Sequence, residues 1–281
     1  MYDLAVIEQM VSQALQEDIG GGDLTAGIIQ GDVSGSGSIV TREDMVLCGT
    51  AWVDSVFKSL SKDIKISWLF SDGSKVKNGS TLCNISGPIA PILTGERVAL
   101  NFLQTLSATA SETALFVELL SGYGTKLLDT RKTIPLWRKA QKYAVICGGG
   151  TNHRMGLYDE ILIKENHIFS CGSITKAVLK AKETAPENTP IVVEVENLLE
   201  LNETIKCGVS RVMLDNFSSD MCRDAVAVCK SKLKLEVSGN ITKDNIREFA
   251  DTGVDFVSVG AITKNISAID LSLIISGANF D

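Results

Sequence analysis

Six times after residue 120, a short apolar run ends abruptly in polar or charged residues. Leu127-Leu128 leads into Asp129, Thr130, Arg131 and Lys132, and Ile161-Leu162-Ile163 leads into Lys164, Glu165 and Asn166. Ile191-Val192-Val193 precedes Glu194, Glu196 and Asn197, and Val212-Met213-Leu214 precedes Asp215 and Asn216. Leu233 to Val237 alternates rather than running unbroken, and precedes Ser238, Gly239 and Asn240; Phe256-Val257 precedes Ser258, Val259, Gly260 and Ala261. Buried parallel strands read as continuous apolar runs. Six of them, separated by stretches long enough for a helix, predict β/α units closing into a barrel. Such barrels carry their active sites at the carboxyl ends of the strands, where each of these clusters falls.

The same region holds a local excess of positive charge. Lys126, Arg131, Lys132, Arg138, Lys139, Lys142, Arg154 and Lys164 lie within it, as do both histidines, His153 and His167, in a chain whose net charge is −7. A basic island in an acidic protein points to an anionic ligand, while the acidic balance argues against nucleic acid. Arg138, Lys139 and Lys142 fall on a helix-like run after the first cluster and read as a solvated face, contributing long-range steering. Gly148-Gly149-Gly150 lacks the Gly-Lys-Ser/Thr ending of a phosphate loop and reads as shaping the turn that presents His153 and Arg154. His167 reads as a residue that orients Lys164 or caps a turn.

With 281 residues, 44% of them apolar, the chain can bury one large core or two ordinary ones. No apolar run approaches the ~18 residues needed to span a bilayer, and the N-terminal MYDLAVIEQ has no basic, apolar signal pattern, so a cytoplasmic protein is expected. Seven scattered cysteines without a C-x-x-C argue for buried free thiols, against disulfides and against a thiolate metal site. The first hundred residues differ in texture from the rest. Leu4, Ile7, Val11 and Leu15 mark a helix that Gly20 to Gly22 ends. Gly37 to Thr41, Met45 to Cys48, Ile64 to Phe70 and Ser80 to Ile85 then read as short strands between turns, forming a small α+β domain. Thr94 to Leu120 reads as a long helix, and Leu271 to Ile275 as a strand or a helix returning to the first domain.

DTRKT, GGG-x-NHR-x-GL, LIKENH, VEVEN, MLDN, EVSGN and DFVSVGA, with EDIGGGDLT and GERVALNFLQ before them, resemble the successive signatures of the quinolinate phosphoribosyltransferases in their order over nearly the whole chain. The ordered set is far more specific than any one string. One departure is visible: where that family often has Pro-Gly-x-Arg after Thr133, this chain has Ile134-Pro135-Leu136-Trp137-Arg138. The resemblance implies an N-terminal α/β sandwich over residues 1–107, joined by 269–281, and an incomplete α/β barrel over 108–268. It also implies homodimers, or assemblies of dimers, with active sites shared between subunits. Two alternatives are a related phosphoribosyltransferase-like protein of molybdate transport and an aldolase-like barrel in which Lys164 forms a Schiff base. A third is a small-anion binding protein without activity.

The implied reaction joins quinolinate to phosphoribosyl pyrophosphate, giving nicotinate mononucleotide, carbon dioxide and pyrophosphate. Two carboxylates, a phosphate and a pyrophosphate require converging cations, and arginine suits bidentate carboxylate recognition. The resemblance assigns Arg97, Thr130, Arg131, His153, Arg154 and Lys164 to quinolinate, with Lys132 near both substrates and Arg97 reaching the neighbouring subunit's site. Glu196 and Asp215 answer to the positive charge left on the ribose, to its hydroxyls and to Mg²⁺, held directly or through water. Glu194, two residues before Glu196, points to the same side of a strand and would share the site. Lys132, Lys164, Glu196 and Asp215 are the expected catalytic set. Ser238, Gly239, Asn240, Ser258, Gly260 and Ala261 suit the 5′-phosphate, because glycine permits close backbone approach and amides at helix starts donate to phosphate oxygens.

Overall fold

The computed structural model describes residues 3–29 and 33–279. Residues 1–2, 30–32 and 280–281, which include the start of the segment read for a signal pattern and parts of the expected first domain, lie outside the described residues. Two compact units divide the chain: one drawn from Met1–Ala114, Lys139–Gly149 and Asn265–Asp281, the other from Leu115–Arg138 and Gly150–Lys264.

In the first unit α1 (Leu4–Ile19) starts where the Asp3 carboxylate accepts the Ala5 N–H at 3.1 Å, and stops at Gly20, whose φ is 55°. Ile7 and Val11 of its stripe are buried, whereas Leu4 stays exposed. Then follow β1 (Ser34–Thr41), β2 (Met45–Val46), α2 (Thr50–Leu60), β3 (Lys65–Trp68), β4 (Lys75–Val76), β5 (Thr81–Pro88) and α3 (Ile89–Leu119). The helix α2 has no counterpart in the sequence reading, although Trp52, Val53, Val56 and Phe57 bury one face of it. Pro91 falls in the first turn of α3, where its missing N–H costs nothing. The last strand, β12 (Leu271–Asn279), pairs antiparallel with β1, giving a four-stranded sheet in the order β12-β1-β5-β3, while β2 and β4 form a separate pair.

The second unit is built on β6 (Lys126–Leu128), β7 (Ile161–Ile163), β8 (Ile191–Val195), β9 (Arg211–Asp215), β10 (Lys234–Ser238) and β11 (Phe256–Ser258). Between them come α4 (Arg138–Cys147, mostly counted with the first unit), α5 (Glu165–Cys171), α6 (Ile174–Thr184), α7 (Leu198–Lys206), α8 (Ser219–Cys229) and α9 (Ile246–Ala250); α10 (Ala261–Lys264) follows β11. All six strands are parallel, in the order β6-β11-β10-β9-β8-β7. That is sequence order read around a ring, with β6 paired to β11 and no ladder between β6 and β7: a barrel left open at one seam. Beside β6 at that seam, Thr151 makes a single parallel bridge to Leu128, donating to Leu127 O at 2.9 Å.

Strand register sets the rows of side chains that face inward. Leu128, Ser258, Ser238 and Asp215 stand side by side at the carboxyl ends of their strands. One layer below, Glu194, Met213, Glu236 and Phe256 are in register. Side chains two residues apart on a strand point the same way, so Met213 and Asp215, like Glu236 and Ser238, stack as successive layers of one interior.

Candidate active site

These layers line a cavity of about 690 Å³ in the second unit. Thr130, Arg131, Lys132, Arg138, His153 and Arg154 line one part of it. Lys164, Glu194, Met213, Asp215 and Glu236 line another, and Ser238, Gly239, Asn240 and Ser258 a third. Most of these residues follow a strand or sit within it; Arg138 opens α4, and His153 and Arg154 follow the isolated bridge at Thr151. Helix caps hold the intervening turns. Asn197 accepts the Glu200 N–H at 3.0 Å, Ser218 accepts that of Met221 at 3.2 Å, and His167 Nδ1 accepts that of Lys164 at 3.0 Å, so His167 caps α5.

The cations of the cavity crowd one another. Burial lowers the pKa of the Arg154 guanidinium, and the nearby charge of Arg131 lowers it further. Lys164 Nζ meets Glu194 Oε2 at 2.6 Å, as expected from register, since both lie one residue past the last β7–β8 pair, Ile163 with Val193. Asp215 has its pKa raised, by burial first and by Glu194 second, against the opposing pull of Lys164 and Lys132. Glu194 therefore serves both as the counter-ion of Lys164 and as an acidic neighbour of Asp215.

Glu196 is placed differently from Glu194. The strand β8 ends at Val195, so Glu196 lies beyond the ladder, is exposed, and is absent from the cavity lining. Its pKa is raised by Glu165 first, another acidic side chain outside the cavity lining. Parity along a strand fails one residue after the strand stops. Gly260 and Ala261 also lie outside the lining, yet Gly260 is packed against the site: a Cβ there would stand 2.9 Å from Lys132 Cδ and 3.3 Å from Thr130 Oγ1. Gly239 has φ 104° and faces Asn216 Oδ1 so closely that a Cβ would collide with it. Arg97 is an exposed residue of α3 in the first unit and is not among the lining residues.

Two readings of the basic run need correction. Lys142 is buried, at 1% exposure, and Arg138 lines the cavity rather than a solvated face. Arg138 donates to Thr133 Oγ1, Met155 O and Arg131 O, each at 3.2 Å, and so ties the loop after β6 to the segment after Thr151. Only Lys139 of the three is exposed. In the loop between, Leu136 stands where the Pro-Gly-x-Arg pattern has glycine. Its φ of 67° is the left-handed conformation that glycine adopts without steric cost.

Sequence reasoning also missed the buried polar layer that underlies and partly lines the cavity. Glu236, 0% exposed, meets Arg211 Nε at 2.9 Å and accepts a hydrogen bond from Ser258. Arg211 Nη2 reaches Glu160 at 2.9 Å, and its guanidinium lies 5.6 Å from the centre of the Phe256 ring. His153 sits over this group, with Nε2 3.4 Å from both Glu236 Oε1 and Arg211 Nη2. Its Nδ1 accepts the Arg154 N–H at 2.7 Å and lies 3.4 Å from Glu160 Oε1. The fully buried Asp129 accepts the His153 N–H at 2.8 Å and the Asn152 side-chain N–H at 2.6 Å, fixing the chain that presents Arg154. A signal for Glu236 existed: with Lys234 it is one of the two charges that break the otherwise apolar run into an alternation.

An open parallel α/β barrel with basic and acidic side chains at its carboxyl strand ends, accompanied by a mixed sheet unit, is the architecture of the quinolinate phosphoribosyltransferase-type enzymes. Within it the chain belongs to the quinolinate phosphoribosyltransferase family: the family's C-terminal domain matches residues 109–274 and its N-terminal domain residues 23–107. It is 33% identical over 292 residues to the Nicotiana tabacum quinolinate phosphoribosyltransferase (decarboxylating) 1b, covering 97% of this chain and 82% of that one. Among solved structures, the nicotinate-nucleotide pyrophosphorylase of Francisella tularensis is 50% identical and superposes with a TM-score of 0.96 over 98% of each chain. That of Ehrlichia chaffeensis is 38% identical with a TM-score of 0.91, over 95% of this chain and 98% of the other.

Proposed function

We infer that this chain transfers the phosphoribosyl group of phosphoribosyl pyrophosphate to quinolinate, with decarboxylation, yielding nicotinate mononucleotide for NAD biosynthesis. The observation that carries the reading is the confrontation of Arg131 with Arg154 in a partly buried cavity, where burial and like charge both act against the Arg154 cation. A dicarboxylate placed between them relieves both. Thr130, Lys164 and His153 complete that subsite on the proposal, with Arg97 supplied from the neighbouring subunit of a homodimer. Lys164 Nζ lies 2.6 Å from Glu194 Oε2, a contact that aims it at the anion-sized cavity, and no carbonyl-activating partner for Schiff-base chemistry is needed by this reading.

Lys132, Ser238, Gly239, Asn240, Ser258, Gly260 and Ala261 form the proposed donor subsite. The backbone at Gly239 and the start of α10 offer N–H groups to the 5′-phosphate. When pyrophosphate departs, positive charge grows on the ribose beside Asp215 and Glu194, which face it from adjoining layers. The resulting pyridinium nitrogen stabilises the electron density left at ring carbon 2 as carbon dioxide leaves. Attachment therefore precedes decarboxylation, and the protein's work is to position and to neutralise. A hard, oxygen-preferring cation fits this site, since Asp215 and Glu194 bring two carboxyl groups into one cavity and a cation between them would offset the repulsion that, after burial, raises the Asp215 pKa. Asp215, with Glu194 and the more distant Glu196, would hold Mg²⁺ largely through the donor's phosphates. Mg²⁺ would offset the charge of the leaving pyrophosphate. Among the described residues no helix is long and apolar enough to cross a membrane, and we place the reaction in the cytoplasm.

The test is turnover with phosphoribosyl pyrophosphate, Mg²⁺ and either quinolinate or nicotinate. Nicotinate leaves part of the cation cluster unpaired, and a site built to bind a polar group rejects analogues lacking it by about 10⁴-fold. Nicotinate mononucleotide should form from quinolinate and barely from nicotinate. Comparable kcat/KM for the two acids would overturn the assignment.

A further inference from the structure

Cys48, Asp72 and Cys147 come from three distant stretches of the first unit: the turn before α2, the turn between β3 and β4, and the last residue of α4. Their ligand atoms, two sulfurs and a carboxylate oxygen, all lie within 4.8 Å of one another. Among the described residues no other three His, Cys, Asp or Glu side chains converge so closely, the acidic residues of the active-site cavity included. Tetrahedral zinc, with Zn–S of about 2.3 Å and Zn–O of about 2.0–2.2 Å, sets its ligand atoms roughly 3.5–3.8 Å apart. Small side-chain rotations cover the difference.

We propose that Cys48, Asp72 and Cys147 form a binding site for a thiophilic divalent cation of the zinc type, separate from the magnesium-dependent chemistry of the barrel. The surroundings hold the donors in place. Ser107 Oγ accepts the Cys48 N–H at 3.0 Å and donates to Cys48 O at 3.1 Å, clamping the backbone that carries the first sulfur. Asp72 Oδ1 accepts the N–H groups of Gly49 and Thr50 at 3.1 and 3.2 Å, so the carboxylate is oriented by the start of α2. Its other oxygen, Oδ2, accepts the Tyr143 hydroxyl at 2.9 Å, and a carboxylate oxygen can accept more than one partner. Metal sites with oriented ligands of this kind bind more tightly than loose ones.

Capping of α2 accounts for Asp72 Oδ1. It does not account for two thiols and a phenol gathered around the same carboxylate. Of the two thiols, Cys48 is buried and Cys147 is partly exposed. The half-exposed Cys147 is thus the sulfur a metal would meet first, with the fully buried Cys48 behind it. Two thiolates select zinc-type ions over magnesium. Spacing along the sequence hides the site, because 98 residues separate the two cysteines and only the fold joins them.

Full-length protein, stripped with chelator and kept reduced by a phosphine, is titrated with Co²⁺ and then Zn²⁺. One equivalent of Co²⁺ should give thiolate-to-cobalt charge-transfer and tetrahedral d–d bands, bleached by one equivalent of Zn²⁺, and Zn²⁺ should raise the thermal midpoint. Cys147→Ser should weaken binding by about 100-fold or more through loss of a first ligand, with Asp72→Asn as a second variant; Cys222→Ser should bind as the wild type does. Absence of the charge-transfer band in the folded wild type, or equal binding by wild type and Cys147→Ser, would overturn the proposal. So would a peroxide-formed Cys48–Cys147 disulfide, 2 Da lighter, in a protein that binds no stoichiometric metal.

Discussion

Asp215 shows how one side chain sets function against stability. Its pKa is raised chiefly by burial, with Glu194 adding to the effect. A carboxyl that holds its proton more tightly when folded favours the folded state at low pH, and that contribution is lost as pH rises through the folded pKa. At neutral pH ionised Asp215 is therefore a cost to folding, which the proposed function explains by the charge it would offer the ribose and Mg²⁺. Asp215→Asn should raise the thermal midpoint at neutral pH while reducing turnover by orders of magnitude, with quinolinate binding largely kept; thermal unfolding and calorimetry on the same sample measure both. A lowered midpoint would show that the pull of Lys164 and Lys132 outweighs burial. At this scale the sequence was legible for residues that directly follow apolar runs, such as Lys164 and Asp215. It was not legible for Arg138, whose three hydrogen bonds depend on carbonyls far along the chain, nor for the choice between Glu194 and Glu196, which turns on where β8 ends.

Elements were readable in proportion to their regularity. All six apolar runs after residue 120 fall on strands of one parallel sheet; five are continuous, as continuous burial requires, and Leu233 to Val237 alternates because Glu236 is buried with a partner while Lys234 is exposed. The strand-like bridge of Thr151 to Leu128 left no such pattern, being a single pair between a glycine run and a polar turn. That bridge nevertheless starts the segment carrying His153 and Arg154, so the glycines before it have work to do. Gly148 is where the end of α4 meets α3 within the first unit: a Cβ would collide with Ala110 O and stand 2.6 Å from Thr113 Cβ. Neither atom belongs to a flexible chain end. Gly148→Ala should therefore destabilise the fold by about 1–3 kcal/mol, the usual cost of overpacking. Gly21→Ala, where nothing lies within 4 Å of the added carbon and φ is not positive, should change stability little. Equal urea midpoints for the two variants would mean that α4 shifts to admit the methyl group without cost.

For the whole molecule, the proposal of shared sites makes the sharpest claim. Arg97 lies in the first unit, exposed on α3, and is not among the residues lining its own chain's cavity, whereas Lys132 is. An exposed helix arginine ordinarily makes no contribution beyond solvation. If Arg97 instead completes the neighbouring subunit's quinolinate site, Arg97→Ala and Lys132→Ala are each nearly inactive alone, because every site in either homodimer lacks one cation. Mixed under subunit exchange, they form heterodimers in which one site carries both defects and the other carries neither. Random pairing makes about half of the dimers mixed, each with one intact site of two, so activity should recover to roughly a quarter of wild type. Recovery should track the heterodimer fraction, measured by tagging one variant, and should vanish when exchange is blocked by a crosslink. Proven heterodimers without recovery would assign Arg97 to its own chain's site or to none.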